Sequence, residues 1–181
     1  GTIERFVDAV AQQSQHVEAP TDGADLKVVY TPLNGAGLEC VSKILERIGV
    51  TDVTVVPEQA QPDGDFPTCP YPNPEIRQAL QKGLELCAEV HPDLLLATDP
   101  DADRTGIAVP HKGEYVLLSG NEVGVLLSDW LAGRAAARGE NVADKLVVTT
   151  IVSSSMLDAL AHKHGFELRR TLTGFKYIGE Q

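Results

Sequence analysis

The chain has 181 residues, of which 43% are hydrophobic, enough to form the core of one large domain or two small ones. Its 26 acidic residues outnumber its 15 basic residues and give a net charge of −11. This charge argues against a nucleic-acid partner and against an anionic membrane surface, because both need a basic face. A small phosphorylated substrate stays possible, since a local Arg, Lys or metal ion can outweigh the overall charge.

The first part of the sequence alternates between predicted helices and strands. Helices are predicted over residues 3–14 and 38–48, and a third begins at Pro74 with Asn73 as its cap. The buried stripe of this third helix is predicted to comprise Ile76, Leu80, Leu84 and Cys87. Strands are predicted over residues 26–31, 53–56, 93–98, 106–110 and 114–118. Residues 57–74, rich in Pro, Gly and Asp, are predicted to form a long loop of a kind that often carries function.

The second part of the sequence continues this alternation but is shorter. Strands are predicted over residues 145–152 and 166–171, helices over 120–138 and 154–164, and a loop over the final TGFKYIG. The inward face of the first of these helices is predicted to comprise Val123, Leu126, Leu127, Trp130 and Leu131. Strand–helix–strand alternation indicates an α/β layered fold, in which this second unit is incomplete.

The cysteines and the chain ends indicate the setting of the protein. The three cysteines include no CxxC pair, so neither a zinc site nor a disulfide framework is predicted. Their number fits a reducing cytoplasm, and no apolar run approaches the length of a membrane span. Because the sequence begins with Gly and stops abruptly, we expect it to be a piece of a longer protein.

An acidic loop is the most distinctive local feature. The apolar run LLLAT stops at Asp99, carboxylates follow at Asp101 and Asp103, and Arg104 comes next. A strand that ends in carboxylates places them at the carboxyl edge of a sheet, where α/β folds keep their ligands. Three anionic oxygens around one point repel unless a hard cation lies between them, so the loop predicts Mg²⁺, with Mn²⁺ as an alternative. Arg104 beside this metal could hold a phosphate through two N–H groups.

Other interpretations of the acidic loop are open at this stage. A solvated acidic turn is the simplest, because Asp and Pro favour turns. A calcium-binding EF-hand loop fits poorly, because Arg104 stands where glycine is needed and Pro110 where glutamate is needed. The segment DADRTG also resembles the DxDGT loop of haloacid-dehalogenase-type phosphatases, in which the first Asp is a nucleophile. That loop usually opens its domain, whereas here about a hundred residues precede it.

Four segments, in order, are similar to motifs of the α-D-phosphohexomutases, the phosphoglucomutase and phosphomannomutase superfamily. DPDADR resembles their metal-binding loop, YTPLNGAG the TPLHGVG segment, FPTCPYPNPE the FPTVxxPNPE segment, and TLTGFKYIGE the TGFKWIG loop. The combined match spans about residues 26–181. With its Pro and Ala, DPDADR resembles the metal-binding loop of one branch of the family. This branch contains bacterial phosphoglucomutases and phosphopentomutases.

The resemblance implies an architecture. Members have four domains, and the first carries a phosphoserine in a Ser-His-Asn-Pro loop that this sequence lacks. Residues 1–112 would be the second domain, a layered α/β/α domain with a mixed sheet that carries the metal loop. Residues 113–181 would be the N-terminal part of a third domain of the same type, truncated here. The partners implied are a small-molecule sugar phosphate and the remaining domains of the same chain.

The resemblance also implies roles for single residues. The Mg²⁺ ligands would be Asp99, Asp101 and Asp103, and Arg104 would contact the phosphoserine or the reacting phosphate. The substrate would be contacted by Thr173, Gly174, Phe175 and Lys176. Asn34, where many members have His, and Gly35 would also belong to the substrate-binding site. The full-length enzyme would interconvert hexose 1-phosphate and hexose 6-phosphate, glucose being the expected sugar, through an intermediate such as glucose 1,6-bisphosphate. The present chain alone is expected to be inactive, and a non-catalytic metal or sugar-phosphate binding module is a further alternative.

Overall fold

The computed structural model describes residues 1–14 and 25–181, which form two compact units, Gly1–Leu118 and Ser119–Gln181. The helices of the first unit are α1 (Thr2–Ala11), α2 (Leu38–Arg47) and α3 (Gln81–Val90), with a 3-10 helix at Pro57–Gln59. Its strands are β1 (Lys27–Thr31), β2 (Asp52–Val55), β3 (Leu94–Thr98), β4 (Thr105–His111) and β5 (Glu114–Leu118). The predicted α/β class is confirmed.

The five strands form one mixed sheet in the order β2-β1-β3-β4-β5. Strand β1 pairs in parallel with β2 and β3, while β4 and β5 are added in antiparallel orientation. The parallel register of β1 and β3 sets Thr31 opposite Ala97, so both strands end at the same edge of the sheet. The segments that follow them therefore leave the sheet side by side.

The core of the first unit lies between the sheet and α3. Val29, Leu95, Ala97 and Cys87 are fully buried there. Burial raises the pKa of the Cys87 thiol to about 11, so this thiol stays protonated at neutral pH and acts as a packing group. Burying these apolar side chains is the main stabilising term for the unit.

The predicted start of the third helix is wrong. Helix α3 begins at Gln81, and the residues from Pro74 onward form turns, in which Ile76 N–H and Ala79 N–H bond to carbonyl oxygens three residues back. Asn73 caps the first of these turns, because its Oδ1 accepts a hydrogen bond from Glu75 N–H at 3.0 Å. Ile76, predicted to be inward, is 39% exposed. Pro74 is instead buried against Gly106 of β4, and this close packing fixes the course of the turns.

The first unit ends at Leu118, because β5 pairs with β4 and completes the sheet. The limit expected between residues 112 and 113 falls in the turn of this hairpin. The second unit contains α4 (Gly120–Ala137), β6 (Leu146–Thr150), α5 (Met156–His164), β7 (Glu167–Thr171) and α6 (Phe175–Gly179), with a 3-10 helix at Val142–Asp144. Strands β6 and β7 are parallel. The core comprises Ala132, Ala135, Val142, Leu157, Leu160 and Phe166.

Two predictions for the second unit are wrong. The large side chains of the predicted inward face of α4 are 43–56% exposed, namely Leu126, Leu127, Trp130 and Leu131. The helix packs on α5 through the small Ala132 and Ala135 instead. Apolar residues surround α4 on several sides, so their periodicity does not mark a single buried face. The predicted loop TGFKYIG also becomes helical from Phe175 onward.

Within the described parts of the chain, no helix combines the length and the apolar character needed to cross a membrane.

The start of α4 provides a test of local stability. Ser119 caps the helix: its Oγ accepts a hydrogen bond from Glu122 N–H, while the Glu122 carboxylate accepts from Ser119 N–H at 2.7 Å. We expect Ser119→Ala to lower the free energy of unfolding by about 1 kcal/mol, measured by urea denaturation. Ser128→Ala is the control, because its hydroxyl only bonds to Gly124 O inside the same helix. Equal losses in both variants would contradict a role for the cap.

Candidate metal and phosphate site

The acidic loop lies between β3 and β4, at the edge where β1 and β3 end. Thr98, the last residue of β3, is buried and shares a hydrogen bond of 2.9 Å with the Tyr30 hydroxyl of β1. Burial raises the pKa of Tyr30, so this hydroxyl stays neutral and keeps its bond to Thr98 at neutral pH. The strand therefore delivers Asp99 to the sheet edge from a fixed point.

The three carboxylates of the loop converge. One carboxylate oxygen from each of Asp99, Asp101 and Asp103 lies within 4.8 Å of the other two. Asp99 is 7% exposed, whereas Asp101 and Asp103 are open to solvent. Three hard anionic oxygens with one open side are a donor set that fits Mg²⁺ or Mn²⁺, which also keep water or phosphate among their ligands.

Hydrogen bonds within the loop produce this convergence. Asp99 Oδ1 accepts a hydrogen bond from Arg104 N–H at 3.0 Å, and Asp99 O accepts one from Ala102 N–H at 3.0 Å. Ala102 has a left-handed backbone, with φ of 59°. This reversal, placed between Asp101 and Asp103, turns the chain back towards Asp99.

The side chain of Arg104 lies beside the carboxylates of Asp99 and Asp103 but at distances longer than a hydrogen bond. Its Nε is 3.9 Å from Asp99 Oδ2 and 3.8 Å from Asp103 Oδ1, and its side chain is 61% exposed. These distances exceed those of a hydrogen-bonded ion pair. The guanidinium is thus placed where it can donate to a phosphate near the three carboxylates.

Asn34 and Gly35 lie next to the acidic loop, in the turn that follows β1. The side chain of Asn34 is nearly buried, and its amide donates to Gln61 O at 2.9 Å and Glu58 O at 3.3 Å. Gly35 lies directly against Pro100. The amide nitrogen of Asn34 is therefore engaged inside the protein, whereas its Oδ1 is buried without a hydrogen-bond partner among the described residues. The substrate-binding role of Asn34 stays a prediction.

The remaining predicted site residues lie in the second unit, at the carboxyl end of β7. Gly174 has φ of 136° and precedes α6, which begins at Phe175. Phe175 is 88% exposed, and Lys176 Nζ lies 4.6 Å from the ring centre of Tyr177. Both side chains, together with Thr173, are accessible at the edge of the sheet where ligands of parallel strands bind.

Arg170 is a residue of this edge that the sequence reading missed. Its guanidinium donates to Thr150 O, Ser153 O and Ser154 O at 3.1–3.3 Å, and to Asp158 Oδ2 at 2.7 Å. It joins β7 to α5 and to the segment that follows β6. One feature of the sequence could have indicated this role for Arg170. Consecutive residues of a strand face opposite sides of the sheet, so one of the two arginines of β7 was bound to face α5.

The fold and this loop define an α/β protein with three converging carboxylate oxygens at a sheet edge. Residues 4–113 match the family model described as phosphoglucomutase/phosphomannomutase, alpha/beta/alpha domain II, and residues 119–181 match that of domain III. The chain therefore belongs to the phosphoglucomutase/phosphomannomutase family, the α-D-phosphohexomutase superfamily. The family resemblance inferred from the four motifs is confirmed.

Relatives with several assigned activities are similar to the chain. A probable phosphomannomutase of Haemophilus influenzae is 38% identical over 98% of this chain and 36% of its own length. A mouse phosphopentomutase is 37% identical, over 86% of this chain and 26% of its length. A Staphylococcus aureus phosphoglucomutase is 34% identical, over 87% and 28%. The chain thus spans between about a quarter and about a third of the length of these relatives.

The fold has counterparts among solved structures. The crystal structure of a putative phosphomannomutase from Thermus thermophilus superposes with a TM-score of 0.74 and 24% identity. The match covers 98% of this chain and 38% of that one. At this identity the similarity supports the fold alone.

The clamp formed by Arg170 gives a second stability prediction. We expect Arg170→Gln to lower the free energy of unfolding of the second unit by about 1–2 kcal/mol, because charged hydrogen bonds are lost from a half-buried site. Arg169→Gln is the matched control: Arg169 is the neighbouring residue and forms an exposed ion pair with Glu167. Denaturation followed by Trp130 fluorescence measures both. A loss as large for Arg169→Gln would contradict the clamp.

Proposed function

We propose that the protein containing this chain is a Mg²⁺-dependent phosphosugar mutase that interconverts hexose 1-phosphate and hexose 6-phosphate, with glucose as the sugar. The observation that carries the proposal is the convergence of three carboxylate oxygens within 4.8 Å at the end of β3, in a chain of this family. In this proposal a phosphoserine outside the 181 residues supplies the phosphoryl group. We place the enzyme in the cytoplasm, as a small-molecule enzyme of carbohydrate metabolism.

In phosphoryl transfer the protein contributes mainly by positioning the reacting groups and by electrostatic stabilisation. Asp99, Asp101 and Asp103 would hold Mg²⁺, with Mn²⁺ able to replace it. When bound, the cation neutralises charge on the transferring phosphoryl group. Arg104 would donate N–H groups to a phosphate oxygen from beside the carboxylates, at the distance that the structure gives its guanidinium. Asp99, held by Arg104 N–H, would keep the loop in register during turnover.

The second unit would bind the sugar phosphate. Thr173, Gly174, Phe175 and Lys176 offer a hydroxyl, a flexible backbone, an apolar ring and a cation at one accessible edge. Lys176 would pair with a substrate phosphate as a point charge. Glucose 1,6-bisphosphate would be the intermediate, and in trace amounts the activator, because each turnover passes through a sugar that carries both phosphates.

A pentose phosphate is the second candidate substrate. It is favoured by the mouse phosphopentomutase, which is 37% identical over 86% of the chain. Mannose phosphate is a third, on the similarity to the Haemophilus influenzae protein. The chemistry at the acidic loop is the same for all three, so the choice of sugar does not alter the roles proposed for its residues.

The test is a coupled mutase assay on the complete protein that contains this chain. Glucose 1-phosphate is supplied with Mg²⁺, with and without trace glucose 1,6-bisphosphate. We expect turnover that requires the cation and falls at least about a hundredfold in Asp101→Asn, because a metal ligand loses its charge. Asp144→Asn is the control, since this carboxylate lies in the second unit, outside the acidic loop.

Other outcomes of this assay distinguish the alternatives. Turnover on ribose or mannose phosphates alone would keep the mechanism and replace the sugar. Release of inorganic phosphate by the 181-residue chain, lost in Asp99→Asn or Asp101→Asn, would favour an aspartyl phosphatase and overturn the mutase. Binding of sugar phosphate without turnover by the complete protein would leave a binding module.

The substrate side of the proposal has its own prediction. We expect Lys176→Ala to raise the KM for the sugar phosphate about tenfold, the effect of losing about 1.4 kcal/mol of binding, while metal dependence is unchanged. Lys145→Ala serves as the control, because this exposed lysine pairs with Glu140 elsewhere in the same unit. A KM that is equal in Lys176→Ala and in the unaltered protein would remove Lys176 from the substrate site.

A further inference from the structure

The turn Pro32–Gly37, here called the support turn, follows β1 at the edge of the sheet where the acidic loop follows β3. The two segments leave neighbouring parallel strands, whose register sets Thr31 opposite Ala97. Ala36 N–H donates a hydrogen bond of 2.8 Å to Pro100 O. The support turn is thus bonded to the residue that separates Asp99 from Asp101.

Gly35 permits this contact because it has no side chain. A Cβ atom at this position would overlap with Pro100, meeting its Cα, carbonyl carbon and carbonyl oxygen. All three are backbone atoms, so they cannot rotate away as the end of a side chain can. Any relief must move the backbone of Pro100, and with it the adjoining residues Asp99 and Asp101.

Gly37 lies against Thr98, which directly precedes the acidic loop, and against Ala102 in the middle of the loop. A Cβ atom there would be 2.7 Å from Thr98 Oγ1, 2.7 Å from Tyr30 Oη and 3.4 Å from Ala102 Cβ. The two hydroxyls are buried and bonded to each other. A side chain at Gly37 would therefore push on the pair that fixes the strand just before Asp99, but it would meet groups that can shift.

The support turn cannot retreat from the acidic loop, because its far side is bonded to residues 58–63. Asn34 N–H donates to Gln59 O at 2.9 Å, and Asp63 N–H donates to Asn34 O at 3.0 Å. The Asn34 amide adds its bonds to Glu58 O and Gln61 O. Gln59 is fully buried, and its Oε1 accepts a hydrogen bond of 2.7 Å from Thr31 Oγ1.

We infer that the support turn positions the acidic loop for metal binding, and that Gly35 and Gly37 are positioning residues of the metal site. The inference rests on the proposed function, since it concerns the cation that the three carboxylates would hold. Asn34 acts with them, by fixing the support turn to residues 58–63. The spacing of the carboxylate oxygens is set by how closely Pro100 approaches Gly35.

The experiment measures Mn²⁺ affinity by isothermal titration calorimetry on the complete protein that contains this chain. We expect Gly35→Ala to weaken binding at least about tenfold, as supporting residues of metal sites do, and Gly37→Ala to weaken it less. Gly64→Ala is the matched control, because an added Cβ there meets nothing within 4 Å. Near-ultraviolet circular dichroism and cooperative thermal unfolding show whether each variant is folded. If Gly35→Ala does not fold, the Mn²⁺ affinity of Gly37→Ala tests the inference.

The outcomes separate this inference from the proposed function. Asp101→Asn must abolish the Mn²⁺ binding, and if it does not, the metal site and the inference both fail. If Asp101→Asn abolishes binding while the folded Gly35→Ala variant binds as tightly as the unaltered protein, the inference alone is overturned. Weakening of the same size in Gly64→Ala would also overturn it, since the effect would then not depend on contact with Pro100.

Discussion

Repulsion among three carboxylates is the constraint on which the functional edge of this protein depends. Asp99, Asp101 and Asp103 hold oxygens within 4.8 Å of one another, an arrangement that an unsupported loop would relieve by opening. The backbone prevents this: Asp99 accepts hydrogen bonds from Arg104 and Ala102, while Pro100 is bonded to the support turn. The close grouping of the three carboxylates therefore has its origin in backbone geometry as much as in the side chains.

The sequence predicted the strands and the acidic loop well, because both are determined by local chemistry. Buried strands such as β1 and β3 are short runs of apolar residues bounded by turn signals, and few other structures suit such runs. Asp residues directly after such a strand must lie at a sheet edge. The sequence did not predict that the support turn lies beside the acidic loop, because the pairing of β1 with β3 joins residues more than sixty positions apart.

The failures of sequence reading arise where packing overrides periodicity. Pro74 has the signals of a helix start, yet its contact with Gly106, a residue of a distant strand, holds the chain in turns until Gln81. In α4 the large apolar residues predicted an inward face, but Ala132 and Ala135 face α5, since small side chains let two helices approach closely. Both errors concern contacts between residues that are distant in the sequence. A periodic pattern carries no information about such contacts.

The net charge of −11 bears directly on how the proposed site would work. A sugar phosphate is an anion, and in the proposed function it would approach a chain in which three of these negative charges lie together in the acidic loop. Arg104 supplies one positive charge at that loop and cannot balance three carboxylates by itself. A divalent cation would cancel the remaining negative charge of the loop while keeping coordination positions for phosphate oxygens. In the proposed function the acidic loop would therefore repel a phosphate until a metal ion is bound, and phosphate binding would depend on the cation.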